Sequence, residues 1–134
     1  GGGTVGCEIA QTLITKNNHI TIIEMDDGLS KKQNLVHRQH NQKVLDDANT
    51  TICLKSLVHK VEEKKVTYKD EEGQLHTVEC DLVVCATGQR PKDTQWQADL
   101  RSEGIEAYTL GDATMTGDFK TATRSAMDIV MALS

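Results

Sequence analysis

The chain opens on a glycine-rich turn that runs directly into a helix pattern, a strand pattern and an acid. Gly1-Gly2-Gly3-Thr4-Val5-Gly6 carries glycine at its first, third and sixth positions. Val5, Ile9 and Leu13 then recur every four residues with Ile14 beside them, which predicts a helix buried along those side chains. Between His19 and Glu24 lie Ile20, Thr21, Ile22 and Ile23, a β-branched run of strand length that ends in a carboxylate. A turn, a helix and a returning strand in this order make a crossover unit, which confines the chain to an α/β fold with a parallel sheet.

Each part of this stretch suits a dinucleotide. Gly1 permits the tight turn, Gly3 lets the backbone approach a pyrophosphate, and Gly6 lets the helix pack closely. The N–H groups around Thr4 and Val5 open a helix whose positive end faces the phosphates. Glu24 follows Gly6 at close to the ~20-residue interval expected of an acid that accepts hydrogen bonds from the adenosine ribose. Met25-Asp26-Asp27 offers no arginine for a 2′-phosphate, so the expected preference is NAD(H) over NADP(H), with Lys31 and Lys32 as the cations that threaten it. No apolar strand precedes Gly1, so the sequence reads as an excerpt whose first strand is missing. That strand is expected to lie between residues 20–23 and 81–86. Without it, the chain is expected to bind NADH poorly and to self-associate.

Downstream, Asp26-Asp27-Gly28 predicts a turn, and Ser30 is the expected cap of a helix from about Lys31 to Asp47. Its apolar face (Val36, Val44, Leu45, Ala48) is thin, and His37 and His40, one turn apart without a third ligand, read as a solvated face. Thr50 to Leu54 predicts a third strand. Leu57 to Glu62, Val66 to Tyr68 and Leu75 to Val78, split by polar clusters, predict a small antiparallel meander. Asp81 to Ala86 is a continuous apolar run of the kind buried in a parallel sheet, and it ends in Thr87-Gly88-Gln89-Arg90-Pro91. Ile105 to Leu110 predicts a further strand ending in Gly111-Asp112, followed by a helix from Thr121 to Leu133 capped by Thr114, Thr116 or Thr121.

Composition excludes several classes. Net charge is −5 and aromatics are 3%, with no basic stripe, so nucleic acid is not an expected partner. No apolar run approaches the ~20 residues of a membrane span. Cys7, Cys53, Cys80 and Cys85 form no C-x-x-C, so no metal site is expected, and buried reduced thiols fit a cytoplasmic protein. Cys7, at a helix start where a thiol pKa can fall, is expected to serve packing.

The ordered set Gly1-Gly-Gly-Thr-Val-Gly-Cys-Glu8, a meander, Ala86-Thr-Gly-Gln-Arg-Pro91 and Leu110-Gly-Asp-Ala113 resembles the two-dinucleotide-binding flavoproteins of the pyridine nucleotide-disulfide reductase superfamily. Within it, the chain is most similar to the C-terminal region of NADH:flavin oxidoreductases such as 2,4-dienoyl-CoA reductase, 2-enoate reductase and trimethylamine dehydrogenase. The resemblance implies a Rossmann-like FAD/NAD(P)-binding fold, with a parallel sheet and a small meander. Gly88 and Gly111 are too close to enclose another domain. Residues 1–87 would therefore be the NAD(P)-binding domain, and 88–134 the returning end of the flavin-type domain.

It further implies that Gly1, Gly3, Thr4, Val5 and Gly6 hold the NAD(P) pyrophosphate and Glu24 the ribose. Glu8 would stand near the nicotinamide–flavin junction, and Gly88 would let the backbone pass close to the cofactors. Gly111-Asp112 would meet the FAD, or an ADP in its place. The parent would carry FAD or FMN, and hydride would pass from NADH to that flavin, with no catalytic residue assigned in this stretch. Two other readings stay open: a disulfide or thioredoxin reductase-like enzyme, which needs a cysteine pair elsewhere, and a non-catalytic nucleotide-binding module.

Overall fold

The computed structural model describes residues 1–47, 50–91 and 95–133. Two compact units divide the chain, Gly1–Gly88 and Gln89–Ser134.

In the first unit, helix α1 (Thr4–Ile14) follows the glycine turn and leads to strand β1 (Ile20–Ile23). Helix α2 (Leu35–Asp47) then leads to β2 (Thr50–Cys53), which pairs parallel with β1 from Ile20↔Thr50 to Ile23↔Cys53. The core between helices and sheet is small: Cys7, Ala10, Ile22, Leu29 and Leu45 are buried, and Ile14, Ile20, Ile52 and Leu54 pack against them. The face of α1 turned inward is thus Cys7–Ala10–Ile14. Val5, expected on that face, is 60% exposed, because the helix is rolled to place the Cys7 thiol under the glycine turn, where it donates to the Gly2 carbonyl.

Helix α2 begins later than expected, and Ser30 does not cap it. Asn34 does: its Oδ1 accepts from the His37 N–H at 3.0 Å and its carbonyl accepts from the Arg38 N–H. Ser30 is instead buried in the preceding turn with φ +49. Leu45 is the buried residue of the thin apolar face, Val36 is exposed, and Ala48 lies outside the described residues.

Strands β3 (Leu57–Glu62), β4 (Lys65–Lys69) and β5 (Leu75–Glu79) form the antiparallel meander, with a register shift between Val58 and Lys60. Cys53 Sγ meets the Tyr68 hydroxyl at 3.3 Å, tying β2 to β4. That bond, with some burial, pushes the Tyr68 pKa up to about 12.

Asp81 to Ala86 is not a strand, and Leu82, Val83, Val84 and Cys85 are exposed. An apolar segment becomes a strand only by pairing, and no described strand lies beside it: the two-stranded sheet is β1–β2 alone. The expectation of a buried Cys85 fails for the same reason, and Cys53 and Cys80 are half-buried.

The second unit contains α3 (Gln95–Ser102), a 3₁₀ turn (Gly111–Ala113) and α4 (Phe119–Leu133). Sequence patterning missed α3, whose apolar residues are few. Residues 105–110 are not a strand either. With no strand among the described residues of this unit, the Ala107 carbonyl is satisfied by side chains, Gln97 Nε2 and Arg101 Nη2, each at 3.0 Å. Helix α4 is capped by Asp118, whose Oδ1 accepts from the Thr121 N–H and hydroxyl, rather than by Thr114, Thr116 or Thr121.

Candidate dinucleotide site

The site is built on the peptide unit of Gly2. Its N–H donates to Glu24 Oε2, and its carbonyl accepts from the Ser30 N–H at 2.8 Å and from Cys7 Sγ at 3.3 Å. Glu24, at the carboxyl end of β1 and 9% exposed, uses its other oxygen to accept from the Asp26 N–H at 2.8 Å. The carboxylate therefore joins the end of the strand to the turn before the helix. Asn41 of α2 braces the arrangement, donating to Ser30 Oγ at 3.1 Å and to Gln33 Oε1 at 2.8 Å while accepting from Gln11 of α1 at 3.0 Å. Burial raises the Cys7 thiol pKa, outweighing the lowering effect of its hydrogen bond with Ser30. Cys7 is a packing group here, as expected.

The glycines divide into two kinds. A Cβ on Gly1 would overlap the Ala86 carbonyl, and one on Gly6 would overlap the Gly1 carbonyl. Gly2, which the spacing argument treats as variable, is as restricted: its Cβ would run into Leu29 and crowd Glu24 and Ile22. Three consecutive glycines were the available signal for it. Gly3 differs. It is the N-cap of α1 with φ −68 and ψ −174, open to any residue, and a Cβ there would meet nothing within 4 Å.

Nothing among the described residues requires glycine at position 3, and a Cβ there would stand in open space. The first helical hydrogen bond is from the Cys7 N–H to the Gly3 carbonyl at 3.0 Å. The N–H groups of Thr4, Val5 and Gly6 precede that ladder and lack helical acceptors. Gly3 supplies no side-chain cap, and Glu8 is exposed one turn further on.

The remaining expected residues lie apart in sequence. Gly88 closes the first unit with φ +86, a conformation that favours glycine. Gly111 and Asp112 belong to the second unit. Gly111 has φ +58 and donates its N–H to Ser125 Oγ at 3.1 Å, while Asp112 Oδ1 accepts from the Gly117 N–H at 3.1 Å. His37 and His40 are exposed on α2. No group of three or more His, Cys, Asp or Glu among the described residues could hold a metal ion, and no described helix is long and apolar enough to cross a membrane.

Residues 1–122 match the family described as pyridine nucleotide-disulphide oxidoreductase. The chain belongs to that family. Among its relatives, the NADH oxidase of Thermoanaerobacter brockii is 26% identical over 129 residues, which cover 96% of this chain and 20% of that protein. The dihydrolipoyl dehydrogenase of Acholeplasma laidlawii is 36% identical over 90 residues, 67% of this chain and 26% of that one.

Solved structures share the fold. Histamine dehydrogenase from Rhizobium sp. 4-9 matches with a TM-score of 0.76 at 18% identity, covering 99% of this chain and 21% of that one. A 2-naphthoyl-CoA reductase matches at 0.71 and 18%, covering 93% and 19%. The α/β, Rossmann-like expectation and the family resemblance both hold. The chain spans between 20% and 26% of the length of these two curated relatives.

Proposed function

We propose that the chain is the nicotinamide-dinucleotide-binding portion of an NADH-dependent flavoprotein oxidoreductase, of the NADH:flavin oxidoreductase type that includes enoate and dienoyl-CoA reductases. The observation that carries this reading is the open space at Gly3 in front of the first turn of α1. A pyrophosphate there would accept from the N–H groups of Thr4, Val5 and Gly6 at the positive end of the helix. Gly1 and Gly6 allow the turn to close that tightly. Glu24 stands at the end of β1, and each of its oxygens retains a lone pair beyond its bond to Gly2 or Asp26, so it can accept from a ribose hydroxyl. A carboxylate there repels a 2′-phosphate, which favours NADH.

In this reading Glu8 lines the nicotinamide end and Gly88 lets the backbone turn beside the cofactors. Gly111 and Asp112 belong to the returning part of a flavin-type domain, where Asp112 Oδ2, without a hydrogen bond among the described residues, would accept from FAD or an ADP in its place. The flavin, when bound, supplies the capacity to take a hydride from NADH. The residues of this chain bind and orient; none is assigned as proton donor or nucleophile. Four free cysteines accord with a cytoplasmic setting.

The test is anaerobic spectroscopy on the full-length protein that carries this chain. Addition of NADH should bleach the flavin absorbance. Nucleotide binding without bleaching would reduce the reading to a nucleotide-binding module.

A further inference from the structure

The loop that follows Glu24 carries two carboxylates, and two of the lysines that border it, Lys31 and Lys55, are tied down. Lys31 Nζ lies 2.8 Å from Asp27 Oδ1 and 3.7 Å from Asp26 Oδ1. Asp26 is the residue whose N–H binds Glu24 Oε1. Lys31 is thus one side chain removed from the carboxylate assigned to the ribose. Lys55, whose own N–H donates to the Asp26 carbonyl, turns its ammonium to Glu71, with 2.7 and 2.9 Å to the two carboxylate oxygens. Both ammonium groups have raised pKa values, in each case chiefly through the hydrogen bond to the carboxylate. A cation beside the ribose acid is what a 2′-phosphate needs.

We infer that Asp26 and Asp27 act as a specificity lock, holding Lys31 in an ion pair so that it does not serve a 2′-phosphate. This rests on the dinucleotide reading above and adds to it a second source of discrimination. Glu24 disfavours NADPH by repulsion, and the Asp26–Asp27–Lys31 cluster disfavours it by occupying a compensating charge one side chain away. The pairs are solvent-exposed, so the lock is a bias in side-chain position that salt weakens. Arg38 flanks the same loop: its Nη2 is 3.6 Å from where a Gly28 Cβ would stand, and it has no ion pair among the described residues. Arg38 and Lys32, which is exposed and has no ion pair among the described residues either, are the competing candidates for a 2′-phosphate.

A double-mutant cycle in the full-length protein that carries this chain, read by calorimetry, decides between them. The probes are NADH and NADPH, and the variants are Asp26→Asn/Asp27→Asn, Lys31→Met, all three together, and Arg38→Ala and Lys32→Met each alone. The asparagine pair should strengthen NADPH binding by about three- to fivefold, the scale of an exposed ion pair, and leave NADH binding nearly unchanged. Lys31→Met should cost more NADPH affinity in the asparagine background than in the wild type.

Equal losses in the two backgrounds would mean that removed repulsion, not a released lysine, explains the gain, and would overturn the lock. Loss of NADPH affinity confined to Arg38→Ala or to Lys32→Met would overturn it too. Failure of NADH itself to bind the wild type would sink the dinucleotide reading, an outcome distinct from either. Asp26, Asp27, Lys31 and Lys32 are exposed and Arg38 is half-buried without an ion pair among the described residues, so the variants should fold.

Discussion

Gly2 and Glu24, 22 residues apart in sequence, are joined by a hydrogen bond from the Gly2 N–H to Glu24 Oε2. The acid therefore shapes the turn, whatever its part in the proposed ribose contact. Glu24→Ala would leave the buried Gly2 N–H unpaired, which costs about 1–3 kcal/mol, and should lower the melting temperature as well as narrow the preference for NADH. Glu24→Gln keeps an acceptor oxygen and should lose less stability. If Glu24→Ala melts like the wild type, the clamp on Gly2 contributes nothing.

The two kinds of glycine should separate in urea. Gly3→Ala fits its backbone conformation and touches nothing, so stability should hold or rise by up to ~1 kcal/mol. Gly6→Ala drives a methyl group into the Gly1 carbonyl and should cost about 1–3 kcal/mol. Equal midpoints for the two variants would contradict the packing described for the turn.

Asp118 caps α4 and its pKa is lowered, first by the hydrogen bond from the Thr121 N–H and then by that from the Thr121 hydroxyl. A depressed carboxylate stabilises the folded form above its unfolded pKa and loses that effect as pH falls through its folded value. Helicity should therefore decline on acidification below about pH 4. Asp118→Asn, which caps without titrating, should remove that part of the decline. An unchanged acid profile would mean that Asp118 does not govern α4.

Cysteine reactivity should follow burial. Cys7 is fully buried with a raised pKa, and Cys85 is exposed. Alkylation at neutral pH followed by mass spectrometry should label Cys85 first and Cys7 last. Early labelling of Cys7 would mean that the turn opens readily.

Much of the first unit was legible in the sequence because local pattern and long-range partner agree there. The Ile20–Ile23 run pairs with Thr50–Cys53, and the three meander runs pair with one another in order. Asp81 to Ala86 and Ile105 to Leu110 show the limit. Their residues favour strands, yet a strand is a relation between two segments, and neither finds its partner among the described residues.

Caps were misassigned for a related reason. Ser30 and Thr121 have the right chemistry, but Asn34 and Asp118 hold the right positions, and only the three-dimensional turn distinguishes them. The roll of α1 was hidden because cysteine and alanine, Cys7 and Ala10, form the buried face while larger Val5 faces out. In the site, glycine spacing pointed to Gly1, Gly3 and Gly6. Gly2, Ser30 and Asn41 were missed because their contribution is to hold the turn rather than to form part of a motif.

The free sides of β1 and β2 bear on association. Each strand pairs only with the other among the described residues, and unpaired edges template pairing between chains. Size-exclusion chromatography of the 134-residue chain should show concentration-dependent association. A monomer at all concentrations would mean that these edges are protected.

The central claim is that the space at Gly3 receives a dinucleotide pyrophosphate, and calorimetric titration of NADH into the full-length protein that carries this chain and into its Gly3→Val variant tests it most directly. The account predicts that Gly3→Val loses NADH binding by at least about tenfold, more than ~1.4 kcal/mol, while His37→Ala and His40→Ala bind as the wild type does. Equal affinity in the wild type and Gly3→Val would contradict it.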